Sequence, residues 1–239
     1  MAIFKKIGKR LSKAYFKESK MTHEEWAAKK VYFPSQDISP ILGYFKIKFS
    51  PQYKLLFKLM DRPDVHTLFA KWASQSGKSL FEMLIIGYRL DNEPANVLYM
   101  QPIKDDIPKV LRLKINPVLK CIKDLWQKFE DYIATEGIRS KDAIKQLAGG
   151  SLVVSGSSVK ERKSLTVPLL VMDEIGEFDK GAVKEASERL KAFSKFFPKK
   201  IGVSTIVHPK DEICTNFENC EAIMEWRYKC PNCKDNFYP

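Results

Sequence analysis

The sequence predicts an α/β fold in which a mostly parallel central sheet carries helices on both faces. Three observations predict it. An apolar stretch ending His66-Thr67-Leu68-Phe69-Ala70-Lys71 runs into a small polar loop, Trp72-Ala73-Ser74-Gln75-Ser76-Gly77-Lys78-Ser79, and then into a helical pattern from Leu80. A second apolar run, Val167-Pro168-Leu169-Leu170-Val171-Met172, ends in Asp173-Glu174, and a continuous apolar strand of this kind suits a sheet covered on both faces. Strand and helix patterns alternate around these two stretches, as parallel strands joined by helical crossovers require. Strand, loop ending Gly-Lys-Ser, helix is the order of a phosphate-cradling loop. The specific expectation is therefore a P-loop NTPase of the RecA/ASCE-like type.

Size and charge agree with that expectation. The 239 residues suffice for one large domain. With 41 basic and 29 acidic residues the formal charge is +12, which favours an anionic partner, nucleic acid being the commonest. A merely soluble basic protein would show the same balance. The five Cys are odd in number and scattered, which argues against a disulfide framework and for a reducing compartment. No apolar run reaches the length of a membrane span. No signal peptide is expected either, because Ile3, Phe4, Ile7 and Leu11 are interrupted by Lys and Arg.

Residues 1–30 are Lys-rich, and Phe4, Ile7, Leu11, Ala14 and Tyr15 recur at helical spacing. A basic amphipathic helix or a solvated arm fits equally well. Pro34, Pro40 and Gly43 make residues 32–49 an irregular connection. Ser50 as N-cap and Pro51 in the first turn open a helix whose apolar face is Tyr53, Leu56, Phe57 and Met60. After the loop come a helix over 80–90, a buried strand over 95–100, and a long helix over 104–134 with a break expected at Pro117. Ile144 to Ser155 reads as two short strands turning at Gly149-Gly150. Past the acidic strand, 180–197 reads as a helix with Val183, Ala186, Leu190 and Phe193 inward. Ile201 to Thr205 is another buried strand.

Ligands of such sheets lie at the carboxyl ends of the strands. There, backbone N–H groups of Ser74, Gln75, Ser76 and Gly77 would face phosphate oxygens, and the helix start adds partial positive charge. Lys78 would reach the β- and γ-phosphates of ATP, and the Ser79 hydroxyl would ligand Mg²⁺. Asp173 would hold the same Mg²⁺, and Glu174 would polarise the attacking water. Thr205, at a neighbouring strand tip, is placed to sense the γ-phosphate. Gln52 and Tyr53, one helix upstream, offer an amide and a flat ring to adenine; a core Tyr and a surface Gln would look the same. The loop has one flaw: the usual pattern asks for Gly where this chain has Trp72.

Cys230-Pro231-Asn232-Cys233 has the spacing of half a zinc knuckle. Cys214, Cys220 and His208 do not form a recognisable second half, so the remaining ligands are expected beyond residue 239. The expected organisation is a basic arm and connection (1–44), an ATPase domain (45–212) and an extension with the half knuckle (213–239), read as ending before a further domain.

Several segments together resemble the large terminase subunit of lambda-like tailed phages. They are Ser74 to Ser79, Leu98 to Pro102, Leu113 to Leu119 with its Asn116-Pro117, Leu169 to Glu174, Ser187 to Phe193, Val203 to Thr205, and Tyr228 to Cys233. They come in that family's order, over about residues 45 to 239. The resemblance implies an ATP-driven motor that moves double-stranded DNA into a procapsid through the portal. It also implies a small terminase subunit as partner, a homo-oligomeric ring when assembled, and a monomer for the isolated domain. The setting it implies is the host cytoplasm, with no membrane and no place in the virion. The family's endonuclease domain is not expected in these residues. Relatives often carry Lys or Arg early in the phosphate loop, where this chain has Gln75 and Trp72. Lys71, Arg162 and Arg189 are the alternative basic partners for the γ-phosphate. Zinc, bound by Cys230 and Cys233, is implied only for a longer protein. Two other classes fit the residues without the resemblance: a helicase-like nucleic-acid-dependent ATPase, and a non-enzymatic zinc and nucleic-acid-binding module with a degenerate loop.

Overall fold

A computed structural model describes residues 21–36, 39–102, 107–136, 143–158 and 165–237. Its centre is one six-stranded sheet. The strands are β3 (Thr67–Lys71), β4 (Asn96–Gln101), β5 (Ile144–Leu147), β6 (Gly150–Gly156), β7 (Leu169–Asp173) and β8 (Lys199–Ser204). Their spatial order is β3-β8-β7-β4-β6-β5. Every neighbouring pair is parallel except β5–β6, which form a hairpin. Short pairs lie outside it: β1 (Tyr32–Phe33) with β2 (Gly43–Tyr44), and β9 (Tyr228–Lys229) with β10 (Asn236–Phe237).

Alternation along the strands builds a core on each face, because successive side chains point to opposite sides. Val97, Tyr99, Leu169 and Val171 join the cluster with α1 (His23–Lys30), α2 (Gln52–Asp61) and α3 (Lys78–Asn92). The same face takes α5 (Asn116–Lys120) and α6 (Lys123–Glu136), which come after the one-turn helix α4 (Ile107–Val110). Leu98, Met100, Leu170 and Met172 face the other way, onto α7 (Ala182–Ser187) and α8 (Glu212–Glu218) through Val183, Ala186 and Ile213. Helices thus cover both faces, as the apolar strands required.

Three elements differ in detail. Pro51 is the N-cap of α2 rather than its first residue, so the helix starts one position late. The expected break at Pro117 is displaced. Proline lacks an N–H and crowds the carbonyl four residues back. Here Leu111–Ile115 widens into a π-turn ahead of it, with the Asn116 N–H bonded to the Leu111 carbonyl, and the chain breaks only at Cys121 and Ile122. The helix expected over 180–197 is α-helical only to Ser187 and continues as a 3-10 segment, Glu188–Phe196.

Of the basic arm, the repeat from Phe4 to Tyr15 lies outside the described residues. From Thr22 onward the arm is built into the fold. Thr22 and Glu25 form a reciprocal capping box at the start of α1. Trp26 is fully buried and its indole N–H donates to Asp91 Oδ2 at 2.9 Å. A Cβ on Gly87 of α3 would sit 2.9 Å from the Trp26 ring and 2.6 Å from Ile122 Cδ1. Only glycine lets these helices close. α1 shares one core with the sheet. Among the described residues no helix is long and apolar enough to cross a membrane.

Two outcomes are expected from this packing. Trp26→Ala should cost about 3–5 kcal/mol, read as a lower midpoint in chemical denaturation. Asp211 caps α8, its carboxylate accepting from the N–H groups of Cys214, Val207 and His208. Burial alone would raise its pKa, but these amides outweigh burial and lower it. A depressed folded pKa means stabilisation present at neutral pH and lost as pH falls from the ordinary carboxylate range through the depressed value. Asp211→Ala should cost about 1 kcal/mol at neutral pH, and the gap to the parent should close in denaturation curves on acidification.

Candidate active site

The site is assembled at the carboxyl ends of three adjoining strands. β8 lies between β3 and β7, with Lys71 opposite Ser204 and Asp173 opposite Val203. The loop 72–77 leaves β3, Thr205 leaves β8, and Asp173 and Glu174 stand at the tip of β7. Lys78, Glu174 and Thr205 are expected partners that the fold does bring together. The Lys78 ammonium pairs with Glu174 Oε1 and lies 3.4 Å from Asp173 Oδ1. Glu174 Oε2 accepts from Thr205 Oγ1 at 3.3 Å and from the Thr205 N–H and Ser204 Oγ at 3.4 Å. To aim that carboxylate, Glu174 adopts a left-handed backbone, φ 51°.

The loop is shaped by residues behind it. Gln75 (φ 57°) and Gly77 (φ 94°) are both left-handed. Gln75 and Ser74 are exposed, Ser76 Oγ donates to the Ala73 carbonyl at 2.6 Å, and Ser79 is half-buried in the first turn of α3. Trp72 does not crowd the loop. Its N–H continues the β3–β8 pairing to Ser204 at 2.9 Å. Its ring packs 5.8 Å from Tyr53 and 5.5 Å from Phe81, and its indole N–H donates to the Ser76 carbonyl at 3.3 Å.

Tyr53 requires a correction. Its ring is fully buried among Phe45, Phe57, Trp72 and Phe81, with its hydroxyl donating to the Gly77 carbonyl. No face is left for adenine. The Gln52 amide donates to the Ser76 carbonyl at 3.3 Å. Both residues, one helix upstream, brace the loop from outside. Arg189 is also not where a partner of the γ-phosphate in the same chain would be. Its carbonyl accepts from the Val167 N–H, at the start of the strand that ends in Asp173, so about 20 Å of extended chain separates them. Arg162 lies outside the described residues. Lys71 turns toward α8, its ammonium 4.6 Å over the Phe217 ring and 3.9 Å from Glu218. Cys230 is partly exposed and Cys233 exposed in the turn joining β9 to β10. The N–H groups of Cys233, Asn232 and Lys234 lower the Cys230 pKa. Among the described residues no group of three or more His, Cys, Asp or Glu is placed to hold a metal ion.

Beneath these groups lie residues no sequence motif announced. Asp173 Oδ2 accepts from the Tyr99 hydroxyl at 2.8 Å and pairs with the Lys114 ammonium. Glu82, one turn past Lys78 on α3, is fully buried, and Lys114 stands 4.0 Å from its Oε2. Burial, then the charge of Asp173, raises the Glu82 pKa well above the ordinary carboxylate value. Burial would raise Asp173 too, but Lys114 and Lys78 outweigh it and the pKa is lowered. Burial alone would lower Lys114; Glu82 and Asp173 outweigh it and raise it. Glu82 was hidden inside an apolar helical run and Lys114 in a basic helix face, where only folding shows them to be neighbours.

Residues 39–238 match the family of the phage terminase large subunit gpA, ATPase domain. This chain belongs to that family. The fold is also that of a solved terminase. The HK97 bacteriophage large terminase superposes with a TM-score of 0.62 at 13% identity, over 83% of this chain and 40% of that one. The ATPase domain of the large terminase of Thermus phage P74-26 is 16% identical over 72% of each chain, with a TM-score of 0.48. The terminase domain described here thus spans 40% of the length of the HK97 protein. No curated protein matches it by sequence. Membership of the family implies an ATPase and nucleotide binding.

The bracing role of Tyr53 can be measured. Tyr53→Phe keeps the ring and removes the donor to Gly77, at a cost of about 1 kcal/mol. Calorimetric titration should show ATP and GTP analogues weakened by the same factor. A loss confined to adenine nucleotides would restore the base-contact reading.

Proposed function

We propose that this domain is the Mg²⁺-dependent ATP-hydrolysing motor of a DNA-packaging terminase. One observation carries the reading: the Lys78 ammonium, the Asp173 and Glu174 carboxylates and the Thr205 hydroxyl meet at adjoining strand tips behind a phosphate-type loop. Lys78 serves the β- and γ-phosphates. In the described arrangement it is held by Glu174, so ATP must draw it away, and that frees Glu174 to orient and deprotonate water. Thr205, bonded to the same carboxylate, links the state of the γ-phosphate to β8. The residues fit a divalent ion: Asp173 Oδ1 is buried with no hydrogen-bond partner, and Ser79 follows Lys78 at the start of α3. Mg²⁺ held by Ser79 and Asp173 would neutralise charge on the phosphates.

The excess of 12 positive charges supports double-stranded DNA as the polymer moved, with affinity that falls steeply with salt. Portal and procapsid, the small terminase subunit, ring assembly around a monomeric free domain, and action in the host cytoplasm belong to the same proposal. So does the division at residues 44 and 212. Arg162, or Arg189 of a neighbouring subunit, would supply the cation that the loop lacks. Zinc at Cys230 and Cys233 would need two ligands from outside the described residues.

Lys78→Ala and Glu174→Gln test the assignment. Both should lower steady-state ATP hydrolysis by about 10²–10⁴-fold, and Glu174→Gln should still bind ATP. Full turnover by Glu174→Gln would overturn it.

A further inference from the structure

The least comfortable group in the molecule is Glu82. Its side chain is fully buried, and its carboxyl faces a second acid, Asp173, with no donor of good geometry on either oxygen. A buried polar group left unpaired costs free energy and asks for an explanation. Helix α3 does not need an acid there for packing, since Phe81, Met83, Leu84, Ile85 and Ile86 around it already bury apolar surface. The nearest cation, Lys114, is turned away from it and sits on Asp173 Oδ2, while Glu82 Oε2 lies 4.0 Å from the same ammonium. One lysine therefore stands between two acceptors, bonded to one and within a short swing of the other.

Asp173 is the carboxylate proposed above to hold Mg²⁺. A divalent ion on Asp173 Oδ1 would stand a few ångströms from the ammonium on Oδ2, and at that range two cations repel strongly in so little water. Resting on the Mg²⁺-nucleotide reading of the site, we infer that Lys114 is a positioning residue. It holds Asp173 while no divalent ion does, and hands its ammonium to Glu82 when one arrives. Glu82 takes that ammonium as a carboxylate, charge against charge, a pairing that a neutral amide in its place does not match. The element carrying Lys114 suits such a role. The π-turn Leu111–Ile115 is wider than an α-turn by one residue, and single π-turns recur at functional sites. Lys114 is also only partly buried, with its side chain 25% exposed, so its stem has room to move. The other polar groups facing it are committed elsewhere: Lys78 to Glu174 and Asp173, and the Tyr99 hydroxyl to Asp173.

The test is a double-mutant cycle on ion binding rather than turnover. Mn²⁺ affinity of the full chain in complex with ADP is measured by electron paramagnetic resonance for the parent, Glu82→Gln, Lys114→Met and the double variant. ADP binding is measured separately by calorimetry. Glu82→Gln is isosteric and removes a buried acid, and Lys114 is partly exposed, so both should melt cooperatively. Glu82→Gln deprives Lys114 of its second place and should weaken Mn²⁺ about tenfold. Lys114→Met removes the competitor and should bind Mn²⁺ at least as tightly as the parent. In the Lys114→Met background, Glu82→Gln should change nothing, because the handover no longer exists. Equal weakening by Glu82→Gln with and without Lys114, or no weakening at all, overturns the inference. So does a Lys114→Met variant that loses Mn²⁺ affinity. These results leave the active-site reading standing if the parent binds Mn²⁺ and ADP. A parent that binds neither overturns both.

Discussion

The ion pair between Lys78 and the acids at the tip of β7 is the contact around which the domain is arranged. It joins the two halves of the proposed nucleotide site, the loop entering α3 and the strand end that carries Asp173 and Glu174. It works only because β8 separates β3 from β7 and so holds the loop and the acids at the reach of one lysine side chain. A parallel pairing of β3 directly with β7 would leave no room for Thr205 between them. The price of the arrangement is a concentration of buried charge, and the burial of Glu82, Tyr99, Asp173 and Lys114 beneath it shows how far the neutralising network extends.

Rigidity comes from the opposite side. The loop is exposed at Ala73, Ser74 and Gln75 and fastened from behind by Gln52, Tyr53 and Trp72, which bond the carbonyls of Ser76 and Gly77. Those carbonyls would otherwise turn toward an anion. Fixing them outward points the N–H groups of the same peptides inward, which is what an anion site needs. The aromatic packing of α1 and α2 against α3 therefore does more than fill a core: it fixes the polarity of the loop.

Much of this was legible from the residues. Apolar runs ending in Lys71 and Glu174 gave the strands, and the Gly-Lys-Ser and Asp-Glu endings gave the strand edge on which the site lies. Three kinds of information were not legible. Tyr53 read as a base contact because an aromatic at that spacing says nothing about which way it points; only the surrounding Phe45, Phe57 and Phe81 decide that. Arg189 read as a candidate because sequence does not tell which end of the sheet a residue lands on. Lys114 and Glu82 carry no motif at all. Their role arises from a contact across 32 positions of chain, set by how the π-turn relieves Pro117 and how α3 lies against β7.

The left-handed backbone of Glu174 carries one further consequence. A side chain with a Cβ held at φ 51° costs of the order of 1 kcal/mol or more against an ordinary conformation. Glycine would relieve that strain and remove the carboxylate with it. At this position thermodynamic stability and chemistry thus pull in opposite directions. Selection for a sturdier fold alone would drift away from an acid here, so a chain that keeps glutamate in this conformation is one in which the carboxylate is worth more than the stability it forgoes.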